Sequence, residues 1–452
     1  MLFNSFEFAL FLPVVFLLYW FVFNKTLKLQ NIFLLGVSYV FYGWWDWRFL
    51  SLIIFSSAID YLAGIQIQQA TNKTTKKRFL TLSLLTNLGF LGVFKYFNFF
   101  AESLAEGFET IGIIIDPFTL EVVLPVGISF YTFQTISYSI DVYRGKLQPT
   151  RDLIAFFAYV SFFPQLVAGP IERASNLLPQ FMQKRSFDYH QAVSGMRQIL
   201  WGLFKKIVVA DNCAFYVDQI FSNYHNLSGL ELIYGSVLFA FQIYGDFSGY
   251  SDIAIGTAKL FNFRLMTNFK TPYFSRDIAE FWRRWHISLS TWFRDYLYIP
   301  LGGSKAGMKI AIRNTIIIFL VSGFWHGANW TFIVWGGLNA LYFLPLLLLK
   351  RNRKNTDVVA EHFWLPKLSD FWKMGVTFAI TCLAWIFFRA ETVTDAFQYI
   401  VGIVNGSFVP ANTNLFRKYM ILVILVMLVM DWYGRKQGFL CFGNAFVQNP
   451  YD

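Results

Sequence analysis

Two histidines stand in surroundings that suit acid–base chemistry, and the first is His326. It lies in the segment Val321-Ser-Gly-Phe-Trp-His-Gly-Ala-Asn-Trp330, at the end of an apolar stretch that begins at Ala311. An ionisable side chain at membrane depth is costly and is by default a functional hypothesis. A neutral imidazole in a dry site is a good general base near pH 7. The neighbouring small residues let a substrate or another helix approach closely. A structural histidine, hydrogen-bonded between helices, is the alternative.

The second is His286, which directly follows Phe281-Trp-Arg-Arg-Trp285. If this segment is helical, Trp282 and Phe293 share the face of His286, with Trp292 close by. Six of the fifteen tryptophans fall between residues 282 and 335. They are Trp282, Trp285, Trp292, Trp325, Trp330 and Trp335. This clustering predicts a tryptophan-lined cavity around the two histidines. An aromatic belt at the membrane interface is the alternative.

The segment 264–313 is both basic and aromatic. It carries nine basic residues against three acidic ones, which is too much charge for a simple lipid-spanning helix. Such a segment is tolerated at membrane depth only if it is buried in protein or lines an aqueous cavity. Five of its cations could receive a phosphate-bearing ligand, and attraction to anionic headgroups is the alternative. They are Arg276, Arg283, Arg284, Arg294 and Lys305.

Other polar motifs favour structural roles. In Tyr244-Gly-Asp-Phe-Ser-Gly-Tyr-Ser-Asp252, two carboxylates six residues apart do not share one helical face, so hydrogen bonding is favoured over a proton relay. Gly169-Pro-Ile-Glu-Arg173 indicates a kink or turn.

No metal site is expected, because His286 and His326 have no companion at ligand spacing. The cysteines form no Cys-x-x-Cys pair and are expected to be small buried hydrophobes. They are Cys213, Cys382 and Cys441.

The elements that must position these residues are membrane helices. The 452-residue chain is 56% hydrophobic and only 14% charged, against about 25% charged in ordinary globular proteins. A soluble multidomain enzyme and a disordered chain are excluded. We predict an all-α polytopic membrane protein with ten to twelve transmembrane or re-entrant helices, forming a single domain over residues 1–452. Candidate spans lie near 6–23, 30–45, 48–66, 80–99, 123–141, 153–169, 197–215, 230–247, 311–327, 330–349, 371–388 and 417–433.

Loop charge predicts the orientation. The segment 67–79 is basic and should be cytoplasmic, whereas 101–121 holds five acidic residues, no Lys or Arg, and should lie outside. This places the N-terminus outside and the basic cluster 350–354 inside. The net charge of +11 therefore indicates cytoplasmic loops rather than a nucleic-acid partner. We expect the first span to be retained, and any extracytoplasmic chemistry beyond the membrane core to come from another protein.

These motifs together resemble the membrane-bound O-acyltransferase family, and most closely its bacterial alginate and peptidoglycan O-acetyltransferase membrane subunits. Teichoic acid D-alanyl transfer proteins are a more distant branch. Each motif is weak alone, but their order and spacing are specific, and the resemblance covers nearly the whole chain. The segments that carry it are Phe3–Phe8, Leu124–Gln134, Phe163–Pro170, Tyr244–Asp252, Phe281–Gly303, Gly323–Trp330 and Ala384–Ala390.

The resemblance implies a ring of helices around a central tunnel, with His326 as the essential histidine and His286 as the second polar residue. It implies transfer of acetyl from cytoplasmic acetyl-CoA, the donor substrate, to a hydroxyl outside. No tightly bound cofactor is implied. In this reading His326 is the general base or is transiently acylated, and His286 orients the donor or polarises its carbonyl. Donor contacts are assigned to Arg283, Arg284, Arg294, Lys305, Trp282 and Trp285, and the tunnel lining to Trp325, Asn329 and Trp330.

The implied setting is the bacterial cytoplasmic (inner) membrane. The implied partners are a separate extracytoplasmic protein resembling an SGNH hydrolase, and a cell-surface polysaccharide. Alginate, peptidoglycan, teichoic acid and other exopolysaccharides all stay open as acceptors. Three other hypotheses about the function stay open. They are acyl or D-alanyl transfer from a carrier-protein thioester, a lipid- or protein-modifying acyltransferase, and a glycan or lipid transporter.

Overall fold

The computed structural model describes residues 1–167, 169–410 and 412–436, and this part of the chain is built from helices and connecting loops. Six helical segments are long and apolar enough to cross a membrane. They are Trp47–Gln69, Lys73–Glu109, Met308–His326, Trp330–Leu348, Leu368–Arg389 and Thr413–Gly434. The all-α polytopic membrane class is therefore confirmed. Cys213 and Cys382 are buried free thiols, as predicted, and Cys441 lies outside the described residues.

The other predicted spans fall on helices of different character. Two correspond to the shorter apolar helices Phe6–Val22 and Leu153–Leu166. The rest fall on helices that are short or carry charge, such as the 17-residue Leu27–Gly43 and the 32-residue Gly229–Leu260 with its two aspartates. A span needs about 20 predominantly apolar residues. The total of ten to twelve crossings, the loop orientation and the central tunnel stay predictions.

The chain divides into two compact units, and the first comprises Met1–Met196 with Ala254–Met266. Its interior holds a polar cluster in which Asp60 accepts hydrogen bonds from Ser83, Asn87 and Ser139. This cluster joins three helices through buried side chains. The helices of this unit are α1 Phe6–Leu17, α2 Leu27–Gly43, α3 Leu50–Gln69, α4 Lys73–Leu91, α5 Phe97–Glu109, α6 Ile128–Tyr143, α7 Leu153–Val160, α8 Phe163–Leu166 and α9 Ala174–Phe181.

The second unit comprises Arg197–Ile253 with Thr267–Asp452 and contains both candidate histidines. Helices α10 (Tyr189–Leu203) and α12 (Gly229–Leu260) contribute residues to both units. Aromatic side chains fill its core; Trp335 and Trp385, for example, stack with ring centroids 5.5 Å apart. The single-domain interpretation stays a prediction. The remaining helices are α11 Asp211–Ser222, α13 Ile278–Arg284, α14 Ile287–Phe293, α15 Met308–His326, α16 Trp330–Leu348, α17 Leu368–Arg389, α18 Val393–Asn405 and α19 Lys418–Gly434.

The basic segment folds into short pieces rather than a span. Helix α13 begins where the Asp277 side chain accepts a hydrogen bond from the Glu280 amide at 2.7 Å, and it has only seven residues. Helix α14, also of seven residues, continues into a π-helical turn, Arg294–Tyr298. Residues 267–307 contain no candidate span. This arrangement agrees with the expectation that this part of the chain does not cross the membrane as a simple helix.

Candidate active site

The hairpin of α15 and α16 places His326. Helix α15 ends at His326, the chain turns through an extended Gly327, and the Asn329 side chain caps α16 by accepting from the Thr331 amide at 2.9 Å. The two helices touch through their backbones. A Cβ built on Gly323 would lie 2.1 Å from the Phe332 carbonyl oxygen, and one on Gly336 would lie 2.3 Å from that of Phe319. The prediction that small residues near His326 let another helix approach closely is confirmed.

Aromatic rings surround the His326 imidazole. The ring centroids of Trp335 and Phe388 lie 5.2 Å from that of His326, and the ring of Trp325 lies 4.9 Å away. The His286 ring lies 6.5 Å away. The structure therefore brings the two predicted histidines together, although 40 residues separate them in the sequence. At this spacing both rings can contact one small acyl group.

His286 lies at a break between two helices, so the assumption of one continuous helix is wrong. Helix α13 ends at Arg284 and α14 begins at Ile287. The backbone of His286 is left-handed, with φ 44° and ψ 56°. A residue other than glycine in this region is strained by about 1–3 kcal/mol and persists only where the surroundings determine it. Because the helix is broken, the predicted shared face with Trp282 and Phe293 does not apply.

The imidazole of His286 is fully enclosed. It is 1% exposed, and neither ring nitrogen has a hydrogen-bond partner within the described residues. The ring of Phe247 packs edge-on at 4.5 Å, and that of Trp325 lies 5.9 Å away. His286 lies outside the six candidate spans. Burial lowers the pKa of its imidazole well below the usual value, and the neighbouring His326 lowers it further. The ring is therefore neutral near pH 7, with one N–H to donate and one nitrogen to accept.

A cavity of about 740 Å³ has a basic end, and its described lining includes neither His286 nor His326. The basic end is formed by Arg283, Arg294, Lys350 and Arg353. The deep part is apolar and reaches Ser322, one helical turn before His326. No described lining residue is acidic. The lining residues are Ala279, Trp282, Arg283, Leu289, Ser290, Phe293, Arg294, Tyr298, Ser304, Met308, Ala311, Thr315, Ile318, Phe319, Ser322, Phe343, Leu347, Lys350, Asn352 and Arg353.

Three residues predicted to contact the donor line this cavity: Trp282, Arg283 and Arg294. The Arg283 guanidinium donates to the carbonyls of Asn352 at 2.7 Å and Asn355 at 2.6 Å. Burial lowers its pKa, but an arginine stays charged at any physiological pH. The exposed Arg294 side chain pairs with Asp295 at 2.7 Å. Lys305 is exposed and does not line the cavity.

Two other residues predicted to contact the donor, Arg284 and Trp285, pack against other side chains of the protein instead. The Arg284 guanidinium binds the buried Glu280 carboxylate at 2.8 Å, and Arg276 binds the same carboxylate at 3.0 Å. Trp285 is 2% exposed and packs on Phe281 in the aromatic core. Neither Arg284 nor Trp285 lines the cavity, so the structure separates these two from the other predicted contacts.

The three predicted tunnel residues have different surroundings. Trp325 is buried and contacts both histidine rings. Asn329 caps α16 and also donates to the Glu391 carbonyl at 3.0 Å, which is a structural role. Trp330 is 52% exposed. Their lining of a tunnel stays a prediction.

The motif Tyr244–Asp252 is held by hydrogen bonds and ion pairs, as predicted. The Tyr244 hydroxyl donates to Asp431 at 2.6 Å, and Asp246 pairs with Lys206 at 2.6 Å. Asp252 pairs with the buried Lys205. The two aspartates therefore bind neighbouring lysines of one segment and Tyr244 binds α19, which is the structural role that the sequence favoured.

Several site residues were not singled out from the sequence. Phe247 belongs to a recognised motif, but nothing in that motif indicates contact with His286. Phe388 also belongs to a recognised motif, Ala384–Ala390, but nothing in that motif indicates contact with His326. Asn268, which accepts a hydrogen bond from the Ser288 hydroxyl beside His286, carries no local signal. Lys350 and Arg353 were interpreted only as indicators of loop orientation, although a basic cluster directly after a predicted span is the signal that could have assigned them to the cavity.

Comparison with known proteins assigns the chain to a family. Residues 149–384 match the family model described as MBOAT, membrane-bound O-acyltransferase family. The chain is 38% identical over 444 residues to a probable alginate O-acetylase of Azotobacter vinelandii, covering 97% of this chain and 85% of the relative. It is 37% identical to a peptidoglycan O-acetyltransferase of Helicobacter pylori, covering 90% and 80%. A teichoic acid D-alanyltransferase of Streptococcus thermophilus is 29% identical, covering 58% and 68%.

Proposed function

Because the chain belongs to the membrane-bound O-acyltransferase family and is a multi-pass membrane O-acyltransferase, we propose that it transfers acetyl groups from cytoplasmic acetyl-CoA to hydroxyls outside the cell membrane. The final acceptor is a cell-surface polysaccharide, in keeping with relatives named alginate O-acetylase and peptidoglycan O-acetyltransferase. The setting is the bacterial inner membrane, because acetyl-CoA is a cytoplasmic metabolite.

The observation that carries this proposal is the cavity with its two chemical ends. Acetyl-CoA has a nucleotide end with several phosphates and a long, weakly polar arm that ends in the thioester. Four cations, Arg283, Arg294, Lys350 and Arg353, suit the phosphates. The apolar depth suits the arm and ends one turn from His326. The volume of about 740 Å³ lies in the usual range for small-ligand sites.

The chemistry follows from the paired histidines. His326 takes the proton of the acceptor hydroxyl, whose oxygen attacks the thioester carbonyl. The neutral His286 donates its N–H to the carbonyl oxygen as negative charge develops there. The C–S bond then breaks, and His326 returns the proton to the departing thiolate. An acetyl-His326 intermediate is the other route, in which the imidazole attacks first and the hydroxyl second.

An extracytoplasmic partner completes the proposed pathway. A protein resembling an SGNH hydrolase accepts the acetyl group on a serine hydroxyl and passes it to the polysaccharide. No tightly bound cofactor is needed, because the thioester is already activated for transfer.

A second candidate donor is a carrier-protein thioester. The specific observation for it is the similarity to teichoic acid D-alanyltransferases. A carrier protein presents its thioester on an arm with a single phosphate, whereas four cations surround the cavity opening. The charge at that opening therefore favours acetyl-CoA.

The test follows labelled acetyl-CoA to free CoA and to acetylated acceptor, using purified protein in detergent and an acceptor hydroxyl. His326→Ala is expected to lose turnover while its folding and thermal stability persist. The matched control is His362→Ala, because His362 is exposed and distant in sequence from both catalytic segments. Hydroxylamine-sensitive label that a rapid quench traps on the wild-type chain, and that is lost in His326→Ala, would indicate the acetyl-histidine route.

Other outcomes select among the alternatives. Full turnover by His326→Ala would overturn the assigned base. Turnover that appears only after the extracytoplasmic partner is added would identify the obligatory acceptor. Turnover of a carrier thioester but not of acetyl-CoA would establish the second donor. Acetylation that ends on a lipid or on a protein other than the extracytoplasmic partner, or transport without acyl transfer, would refute polysaccharide acetylation.

A further inference from the structure

The short strap Asn268–Lys270 holds the break between α13 and α14 on both sides of His286. The Asn268 carbonyl accepts from the Ile287 amide at 2.9 Å. The Lys270 amide donates to the Arg284 carbonyl at 3.0 Å. Two backbone bonds therefore fix the residues that flank Trp285 and His286. They also satisfy backbone groups that a continuous helix would pair internally.

The Asn268 side chain adds a second set of bonds. Its oxygen accepts from the Ser288 amide at 3.3 Å and from the Ser288 hydroxyl at 2.9 Å. Its amide nitrogen donates to the Ser251 hydroxyl of α12 at 3.1 Å. Asn268 is 0% exposed. It therefore connects the start of α14 to a long helix of the same unit.

Asn268 takes over a role that normally belongs to the capping residue of the helix. His286 occupies the N-cap position of α14, but its side chain makes no capping bond. An N-cap side chain usually accepts from the second or third amide of its helix. Here Asn268, from a separate segment, binds the first two amides. Neither nitrogen of the His286 ring is therefore used for capping.

These bonds also explain why His286 keeps a strained backbone. In the right-handed conformation, α13 and α14 would join into one helix, as the sequence pattern suggests. The side chain would then leave its place beside Phe247 and Trp325, because the direction of Cβ follows the backbone. A strained left-handed residue persists only where its surroundings hold it, and the hydrogen bonds from the strap hold His286.

We propose that Asn268 is a positioning residue that caps α14 from outside and thereby holds the His286 ring free and facing His326. This inference rests on the proposed function, in which His286 acts on the acyl carbonyl. Asn268 does not line the donor cavity, so it affects the transfer step through His286 and leaves donor binding unchanged.

The kinetic test compares Asn268→Ala with Asn339→Ala. Asn339 is also buried in this unit, but its side chain donates only to a carbonyl of its own helix. Asn268→Ala is expected to lower kcat at least tenfold, with KM for acetyl-CoA within twofold of the wild type and an unchanged detergent-solubilised fold. Asn268→Asp retains the acceptor for Ser288 and is expected to recover part of the loss. Asn339→Ala is expected to retain full kcat.

A double-mutant cycle separates positioning from packing. In a His286→Ala background, Asn268→Ala is expected to cause no further loss, because the ring that it positions is gone. An equal loss in both backgrounds, or a rise in KM with kcat unchanged, would overturn the proposal.

A readout without turnover completes the test. Diethyl pyrocarbonate modifies exposed imidazoles, and mass spectrometry locates the adduct. Wild-type His286 is expected to be protected, and the Asn268→Ala protein should react at His286 while Asn339→Ala stays protected. Continued protection in Asn268→Ala would overturn the proposal, even if His286→Ala has too little turnover for the cycle. If wild-type protein turns over no acetyl-CoA even with the extracytoplasmic partner added, the proposed function fails, but the modification experiment still tests the positioning of His286.

Discussion

The contact between α15 and α16 gives a quantitative prediction for Gly323→Ala. A Cβ at this position would lie 2.1 Å from the Phe332 carbonyl oxygen, whereas ordinary contacts begin at 3.4 Å. The obstacle is backbone, so no side-chain rotation relieves it. The two helices must separate by more than 1 Å at this point. His326 lies three residues further along α15 and moves with it.

This displacement should reduce activity more than stability. A misplacement of about 1 Å at a catalytic group can cost about 100-fold in rate, and overpacking costs about 1–3 kcal/mol in stability. We expect kcat of Gly323→Ala to fall by about 100-fold, while the protein still purifies as a folded species with a lower melting temperature. The assay is release of free CoA from acetyl-CoA, alongside thermal unfolding in the same detergent.

The matched control is Gly337→Ala on α16. Its Cβ would meet nothing closer than a Leu320 side-chain carbon at 3.8 Å, so turnover and stability should stay near those of the wild type. Wild-type turnover by Gly323→Ala would refute the reasoning that backbone contact sets the position of His326. Equal damage by Gly337→Ala would show that the hairpin tolerates no added methyl group at all.

Three further predictions concern charge and protonation. Arg294→Gln should raise KM for acetyl-CoA several-fold with little change in kcat, since Arg294 lines only the basic end of the cavity; initial rates over a range of acetyl-CoA concentrations measure this. Glu280→Gln removes the carboxylate shared by two arginines and should destabilise the protein by about 3–5 kcal/mol, measured by thermal unfolding. Burial keeps the pKa of His286 below its unfolded value of about 6.5. The unfolded chain therefore binds the extra proton first, and stability should fall as the pH drops below about 6.5, by up to about 1.4 kcal/mol per pH unit. His286→Phe should flatten this part of the melting profile.

Control variants, and the results that would contradict the reasoning, can be stated for the three predictions on Arg294, Glu280 and His286. Lys373→Gln removes an exposed cation that does not line the cavity and should leave KM unchanged. An equal rise in both variants would indicate a general charge effect. Glu361→Gln removes an exposed carboxylate and should leave stability unchanged, and a stable Glu280→Gln protein would contradict the buried ion-pair assignment. An identical melting profile for wild type and His286→Phe between pH 5 and 7 would contradict a neutral, buried His286.

Composition and local sequence predicted the membrane class and the two histidines, because both properties are local. An apolar stretch that ends at His326 is visible in the sequence, and so is the glycine that lets α16 approach. Glu280 and Arg284 could also have been recognised as a pair, since residues four apart on a helix are neighbours. Their spacing would have removed Arg284 from the predicted donor contacts.

The remaining features depend on contacts between distant segments. The left-handed backbone of His286 is set by bonds from Asn268, and the periodicity of the surrounding residues favours a continuous helix instead. The cavity opening combines Arg283 with Arg353, which line one cavity only after the three intervening helices α14, α15 and α16 have packed. No pattern within either segment specifies such a meeting.

The attachment of the loop after α16 to α13 has a consequence for biosynthesis. The carbonyls that bind Arg283 lie 69 and 72 residues later in the chain, and the Asp357 carboxylate that binds Arg276 lies 81 residues later. Helices α15 and α16 are synthesised in this interval, so both must be inserted before the loop can reach its arginines. The basic opening of the cavity is consequently one of the last parts of this region to form. A ribosome-bound chain that stops before residue 350 would carry His286 and His326 without an assembled entrance to them.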